Sequence, residues 1–276
     1  MVARRFQQVD VFTVEPLFGN PVAVVLDGEG LTDDEMQALA RWTNLSETTF
    51  VSPPTDATAD YAIRIFTPGG ELGFAGHPTL GTAHAWRRAG GTPRGDQIVQ
   101  QGKVGLVRIR TTEPLAFAAP ASVRSDPEPA VLEATLAALG LRPGEITGAQ
   151  LLDNGTDWLA LLVPDAATVL GLQPDHAALG SLPKTGVVGW HPDPADSTIE
   201  VRAFADSVGI AEDPITGSLQ ASVAQWLLDL GRVSDRYRAA QGTCIGRRGR
   251  VEVERVGADV WIGGGTHTLI EGTVDL

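Results

Sequence analysis

Apolar and polar residues alternate in many short runs along this chain, and only a few segments switch to helical spacing. "RRFQQVDVFT" (4–13) and "PVAVVLD" (21–27) alternate like strands and flank the turn-rich "EPLFGN", so they read as a pair. "LTDDEMQALARWTN" (31–44) changes period: Thr32 and Glu35 have capping-box spacing, Asp33 and Asp34 suit a helix start, and Met36, Leu39 and Ala40 share one face. "SETTFV" and "ADYAIRIF" return to the strand pattern, and the glycine-rich "TPGGELGFAG" leads to His77. A helix is predicted over 78–89, with Pro78 in its first turn and Gly90 and Gly91 ending it. "QIVQQ", "VGLVRIRT" and "LAFAA" are again strand-like.

The proline-rich, aperiodic "PASVRSDPEPAV" (120–131) takes the lobe boundary, which divides 1–120 from 121–276, with the last strand a candidate to return to the first lobe. The second half then replays the first. A helix over 129–139 ends at Gly140, and strands are predicted at "DWLALLV", "GVVGW" and "TIEVRAFA". The loop "DSVGIAE" precedes a helix in "SLQASVAQWLLDLG", with Val223, Trp226, Leu227 and Leu230 on one face and Gly231 as its stop; "RVEVERV" and "DVWIGG" follow. "IRIF" before one loop matches "VRAF" before the other, and "HPTLGT" (77–82) matches "DPITGS" (213–218) with His77 exchanged for Asp213. The expected fold is α+β: two pseudo-symmetric lobes, each a curved, mainly antiparallel sheet wrapped around a central helix, facing each other across a cleft.

Composition narrows the function. With 276 residues, 43% hydrophobic and 20% charged, the chain has a soluble, globular composition. No apolar run approaches the roughly 20 residues of a membrane helix, and the first residues lack a signal-peptide core, so a cytoplasmic protein without a membrane partner is expected. A net charge of −13 argues against nucleic acid, and the one basic run, "GRRGR" (246–250), reads as a solvated strand start. Cys244 is the only cysteine, which excludes an intrachain disulfide, a cysteine-based zinc site and any two-thiol mechanism; it reads as a small buried filler. No metal-ligand spacing is present.

Two helix starts facing one cleft would offer unpaired N–H groups to a small carboxylate. Thr82 and Ser218 hold equivalent places in the two hexapeptides and could add hydroxyl hydrogen bonds, or could serve only local helix-end bonding. His77 and Asp213 share a place but differ in chemistry, which suits unequal tasks on an asymmetric substrate; a satisfied core histidine and a plain helix cap are the alternatives. Glu47, between Leu45 and Phe50, is a candidate base with a pKa raised by low polarity, or else an exposed strand-edge residue.

Taken together, "GNPVAVVLD", "TNLSETTFV", "FTPGGELGFAGHPTLGTAHAW" and "EDPITGSLQASVAQWL" resemble the PhzF family of phenazine-biosynthesis-type isomerases, within the diaminopimelate-epimerase-like fold. The resemblance spans nearly the whole chain. It implies Glu47 as the residue that moves a proton between two carbons, with His77 and Asp213 orienting the substrate. It also implies Ser218 and Gly217 at one helix start as substrate-binding positions; Gly73 and Gly76 would let their loop approach the ligand closely or serve turn geometry, and Thr82 stays a substrate-binding candidate from the hexapeptide match. His84 is expected to be buried packing. The implied activity is a cofactor-independent proton and double-bond shift in a small carboxylate-bearing metabolite, of the trans-2,3-dihydro-3-hydroxyanthranilate isomerase type, by a homodimer. Epimerisation of a small amino or hydroxy acid, and ligand binding without catalysis, are the competing readings.

Overall fold

In the computed structural model, which describes residues 2–276, six α-helices and seventeen strands are present among the described residues. The helices are α1 (Asp33–Thr43), α2 (Gly76–Arg88), α3 (Pro129–Leu139), α4 (Ala166–Gly171), α5 (His176–Leu179) and α6 (Gly217–Asp229). The capping box of α1 forms, with Thr32 and Glu35 bonding each other's backbone N–H. Gly140 closes α3 in the left-handed conformation that glycine adopts without penalty.

Strand pairing shows the duplication directly. In the first lobe the spatial order is Ala3–Val11, Asn20–Val25, Glu47–Ser52, Tyr61–Thr67, Gln97–Gly102, Gly105–Arg110 and Ala116–Ala118. Successive pairs run antiparallel, parallel, antiparallel, parallel, antiparallel, antiparallel. In the second lobe Gly148–Asp153, Asp157–Leu162, Thr185–Trp190, Ile199–Phe204, Arg236–Gln241, Gly249–Val256 and Asp259–Gly263 pair with the same succession of directions.

The lobes also exchange strands. Val123–Ser125, which follows the last strand of the first lobe, pairs with Gly148–Asp153, while Thr266–Asp275, which follows the last strand of the second, pairs with Ala3–Val11. Ala116–Ala118 pairs with Trp261–Gly263 and joins the two sheets.

Each sheet curls around one helix. Leu80, Ala83 and Ala85 of α2 pack among Val9, Val22, Ile98 and Phe117, and Leu219, Val223 and Leu227 of α6 among Trp158, Val188, Val201 and Val251, in one continuous core. Helix α1 covers the outside of the first sheet through Met36, Leu39 and Ala40 against Val25, Phe50 and Phe66. Helices α3 to α5 cover the second.

Several local expectations are corrected. Helix α2 begins at Gly76 rather than Pro78, and part of the glycine-rich loop forms a short strand, Gly70–Leu72, against Tyr61–Thr67. Leu230 lies beyond the end of α6 and is exposed, unlike Val223, Trp226 and Leu227. Cys244 is exposed, because it sits in a 3₁₀ turn ahead of a strand rather than in the core. His84 is only half-buried: its two ring nitrogens meet Thr266 Oγ1 at 2.8 Å and Thr268 Oγ1 at 2.9 Å, tying α2 to the returning last strand.

Candidate active site

The two central helices meet start to start. A Cβ on Gly76 would lie 2.6 Å from Gly217 Cα, and one on Gly217 would lie 2.7 Å from Gly76 Cα, so only glycine permits this approach at either position. Neither helix carries a side-chain N-cap or an acidic residue in its first turn. Two sets of unpaired N–H groups and two positive dipole ends therefore border one pocket, lined by Gly76, His77, Gly217 and Ser218.

This corrects the hexapeptide match. "HPTLGT" begins at the second residue of its helix, whereas "DPITGS" ends at the second residue of its own. The structural counterpart of Gly76-His77 is Gly217-Ser218, and Asp213 belongs to the loop before α6, where its backbone N–H donates to Ala203 O at 2.9 Å.

The fold nonetheless brings Glu47, His77, Asp213 and Ser218 to the same pocket. Glu47 opens the strand Glu47–Ser52 and is buried there. Its Oε2 faces His77 Nε2 at 3.3 Å, but the angles miss hydrogen-bond geometry, and neither atom has another partner. Burial, reinforced by the negative charge of Asp213 and opposed by the positive charge of Lys184, holds the Glu47 pKa well above the usual carboxylate range. Burial lowers the His77 pKa to about 3, so its imidazole is neutral at neutral pH and the two groups do not form an ion pair.

Asp213 is also pushed upward by burial, but three donors oppose that shift. Thr216 Oγ1 donates to Oδ2 at 2.6 Å, and Asn20 Nδ2 and Ser46 Oγ donate to Oδ1 at 3.0 and 3.1 Å. Asn20 Nδ2 additionally donates to Ile215 O at 2.9 Å and lies 3.2 Å from His77 Nδ1, so one amide links both lobes at the site.

Two expected contacts fall elsewhere. Thr82 is fully buried inside the first lobe, where its hydroxyl meets Thr49 Oγ1 at 2.9 Å, and it does not line the pocket. A Cβ on Gly73 would lie 2.9 Å from Gly155 O, so its bareness admits the backbone of the opposite lobe rather than a ligand.

The pattern of the chain pointed to none of Asn20, Ser46, Trp158 and Lys184. Asn20 and Ser46 stand inside the quoted stretches "GNPVAVVLD" and "NLSETTFV", beside proline and beside Glu47, and those neighbours were the available signal. Trp158 and Lys184 carried none, because a strand tryptophan and a loop lysine look alike everywhere. The free space in the pocket is about 30 Å³, enough for a water or two. A larger open groove of about 590 Å³, lined by Arg4, Asp27, Trp86 and Gly91, brings together none of the ionisable groups above.

The paired half-repeats, each a sheet curled around one helix, are a fold this chain shares with solved epimerase structures. A hydroxyproline epimerase from Agrobacterium vitis shares the fold, with a TM-score of 0.64 at 14% identity over 99% of this chain and 91% of that one. The chain belongs to the PhzC-PhzF family, described as phenazine biosynthesis-like proteins, whose profile matches residues 9–272.

A trans-2,3-dihydro-3-hydroxyanthranilate isomerase of Pseudomonas aeruginosa is 34% identical over 92% of this chain and 91% of its own. A Schizosaccharomyces pombe relative named Antisense-enhancing sequence 1 is 35% identical over 99% of both. A Bacillus anthracis PhzF-family structure superposes with a TM-score of 0.83 at 24% identity, covering both chains fully. The protein is thus an enzyme of the isomerase class.

Proposed function

We propose that the protein moves a proton, and with it a double bond, in a small unsaturated carboxylate of the trans-2,3-dihydro-3-hydroxyanthranilate type. The observation that carries this reading is the buried Glu47 carboxyl facing the neutral His77 imidazole at 3.3 Å, beside two uncapped helix starts. The starts and Ser218 hold the substrate carboxylate. The ionised Glu47 takes a proton from a carbon next to the unsaturated system, and the electron pair of the broken C–H bond spreads into that system. Glu47 then returns the proton at another carbon, so one carboxyl serves as base and then as acid, with no net change in the enzyme. His77 and Asp213 orient the amine or hydroxyl of the substrate.

NMR in D₂O with trans-2,3-dihydro-3-hydroxyanthranilate tests this reading. Isomerised, deuterated product from wild type and none from Glu47→Gln is the expected result. Deuterium entering with inversion and no double-bond shift would replace isomerisation by epimerisation, and no reaction in either protein would remove this substrate.

A further inference from the structure

Among the described residues, Lys184 is the only lysine or arginine that lines the pocket. Its side chain is 11% exposed, its Nζ donates to Thr156 Oγ1 at 2.7 Å, and the Asp157 carboxylate lies 3.3 Å away. An ammonium has three N–H donors, so one is uncommitted. The Lys184 Nζ also stands 5.4 Å from the ring centroid of Trp158, within range of a cation–π contact.

Trp158 is buried and lines the same pocket. Its indole N–H, the only polar hydrogen of that side chain, goes to Ser218 Oγ at 3.1 Å. A hydroxyl oxygen that accepts from an indole still has its own hydrogen to give, and among the described residues Ser218 Oγ donates no hydrogen bond. Asn154 Nδ2 holds the Ser218 carbonyl at 2.9 Å, which fixes the backbone beneath that hydroxyl.

We propose that Trp158 and Lys184 form an anion-recognising wall on the second lobe: Lys184 binds the negative group of the substrate, and Trp158 is a positioning residue that makes Ser218 a donor to that group. The inference rests on the pocket being the substrate site. The charge layout supports it. Asp213, and Glu47 when ionised, would repel an anion from their side of the pocket, while Lys184, Ser218 and the start of α6 attract one. The wall thereby sets which end of an asymmetric substrate faces Glu47.

The test is titration of ¹⁵N-labelled protein with benzoate, itaconate and 3-hydroxyanthranilate, and with 2-aminophenol as the probe lacking a carboxylate. The Trp158 indole signal is followed, and Trp158→Phe assigns it. At least one carboxylate is expected to shift that signal, and Lys184→Met to weaken its binding about tenfold or more, as loss of a charged hydrogen bond does, while Lys184→Arg restores most of it. Binding of 2-aminophenol should not respond to Lys184→Met.

For Trp158, read by backbone amide shifts because the indole is gone, the Trp158→Phe/Ser218→Ala double variant should bind the carboxylate no more weakly than Ser218→Ala alone, because both changes act on the same donor. Carboxylate binding within twofold of wild type in Lys184→Met, additive losses in the double variant, or no carboxylate moving the indole signal would each overturn the inference. The isomerase reading fails separately, if carboxylates bind in a Lys184-dependent way while trans-2,3-dihydro-3-hydroxyanthranilate is neither isomerised nor deuterated.

Discussion

Gly76 and Gly217, the first residues of the two central helices, are in backbone contact across the lobe interface. A methyl group on either would sit 2.6 to 2.7 Å from the other's Cα, and backbone on both sides leaves no flexible side chain to move away. Gly217→Ala should therefore cost about 1–3 kcal/mol by overpacking and push the helix starts apart. Thermal unfolding and a raised KM in the isomerase assay would report it, and a variant with both values unchanged would contradict the contact.

Glu47→Gln should lower turnover about 10²-fold or more, the usual scale for a general base, while leaving carboxylate binding largely intact. The same substitution should stabilise the protein at alkaline pH. Because burial raises the folded-state pKa of Glu47, its favourable contribution is complete below the unfolded value and is lost as pH rises through the folded one. Melting curves across pH check the sign: the advantage of Glu47→Gln should grow with pH and vanish in acid.

The pH–rate profile follows from the same environment. Glu47 must be ionised to accept a carbon-bound proton, so the acid limb of kcat/KM should lie well above the ordinary carboxylate range. No limb should arise from His77 near pH 6.5, since its pKa is lowered to about 3. An acid limb at the ordinary glutamate value would refute the buried environment.

Asn20 tests the link between lobes. Asn20→Ala removes the amide that serves Asp213 and Ile215 and leaves buried acceptors unsatisfied, at a cost of about 1–3 kcal/mol. Activity should fall with stability, because the Asp213 carboxylate loses one of its three donors.

The closed cleft makes a further demand. Free space of about 30 Å³ is small for a ring-sized substrate, so separation of the lobes on binding is the expected outcome. Small-angle scattering should show a larger radius of gyration without ligand than with a saturating carboxylate, and equal radii would count against such opening.

Local pattern determined much of this protein. Alternation and helical spacing are written in consecutive residues, which is why α1, α2, α3, α6 and most strands were legible, as was the duplication in "IRIF" and "VRAF". The motif residues Glu47, His77, Asp213 and Ser218 were legible through the family resemblance, and the fold brings all four to one pocket.

The pattern suggests a last strand returning to the first lobe but does not mark Thr266–Asp275 as that strand. Its ten residues are mostly exposed and earn their place by pairing with the distant Ala3–Val11. The hexapeptide likeness misled for a related reason: similar letters do not reveal where a helix starts, and only the backbone contact of Gly76 with Gly217 sets the true correspondence. Thr82 and Gly73 looked suited to a ligand but are occupied by Thr49 and Gly155.

Lys184 and Trp158 became visible only when strands from the second lobe were folded around Ser218. Sequence thus determined which elements form and which ionisable groups are available, because those follow from residues close along the chain. Tertiary structure alone decided the partners, burial and shifted pKa values of those groups, because these depend on atoms that the chain brings together from far apart.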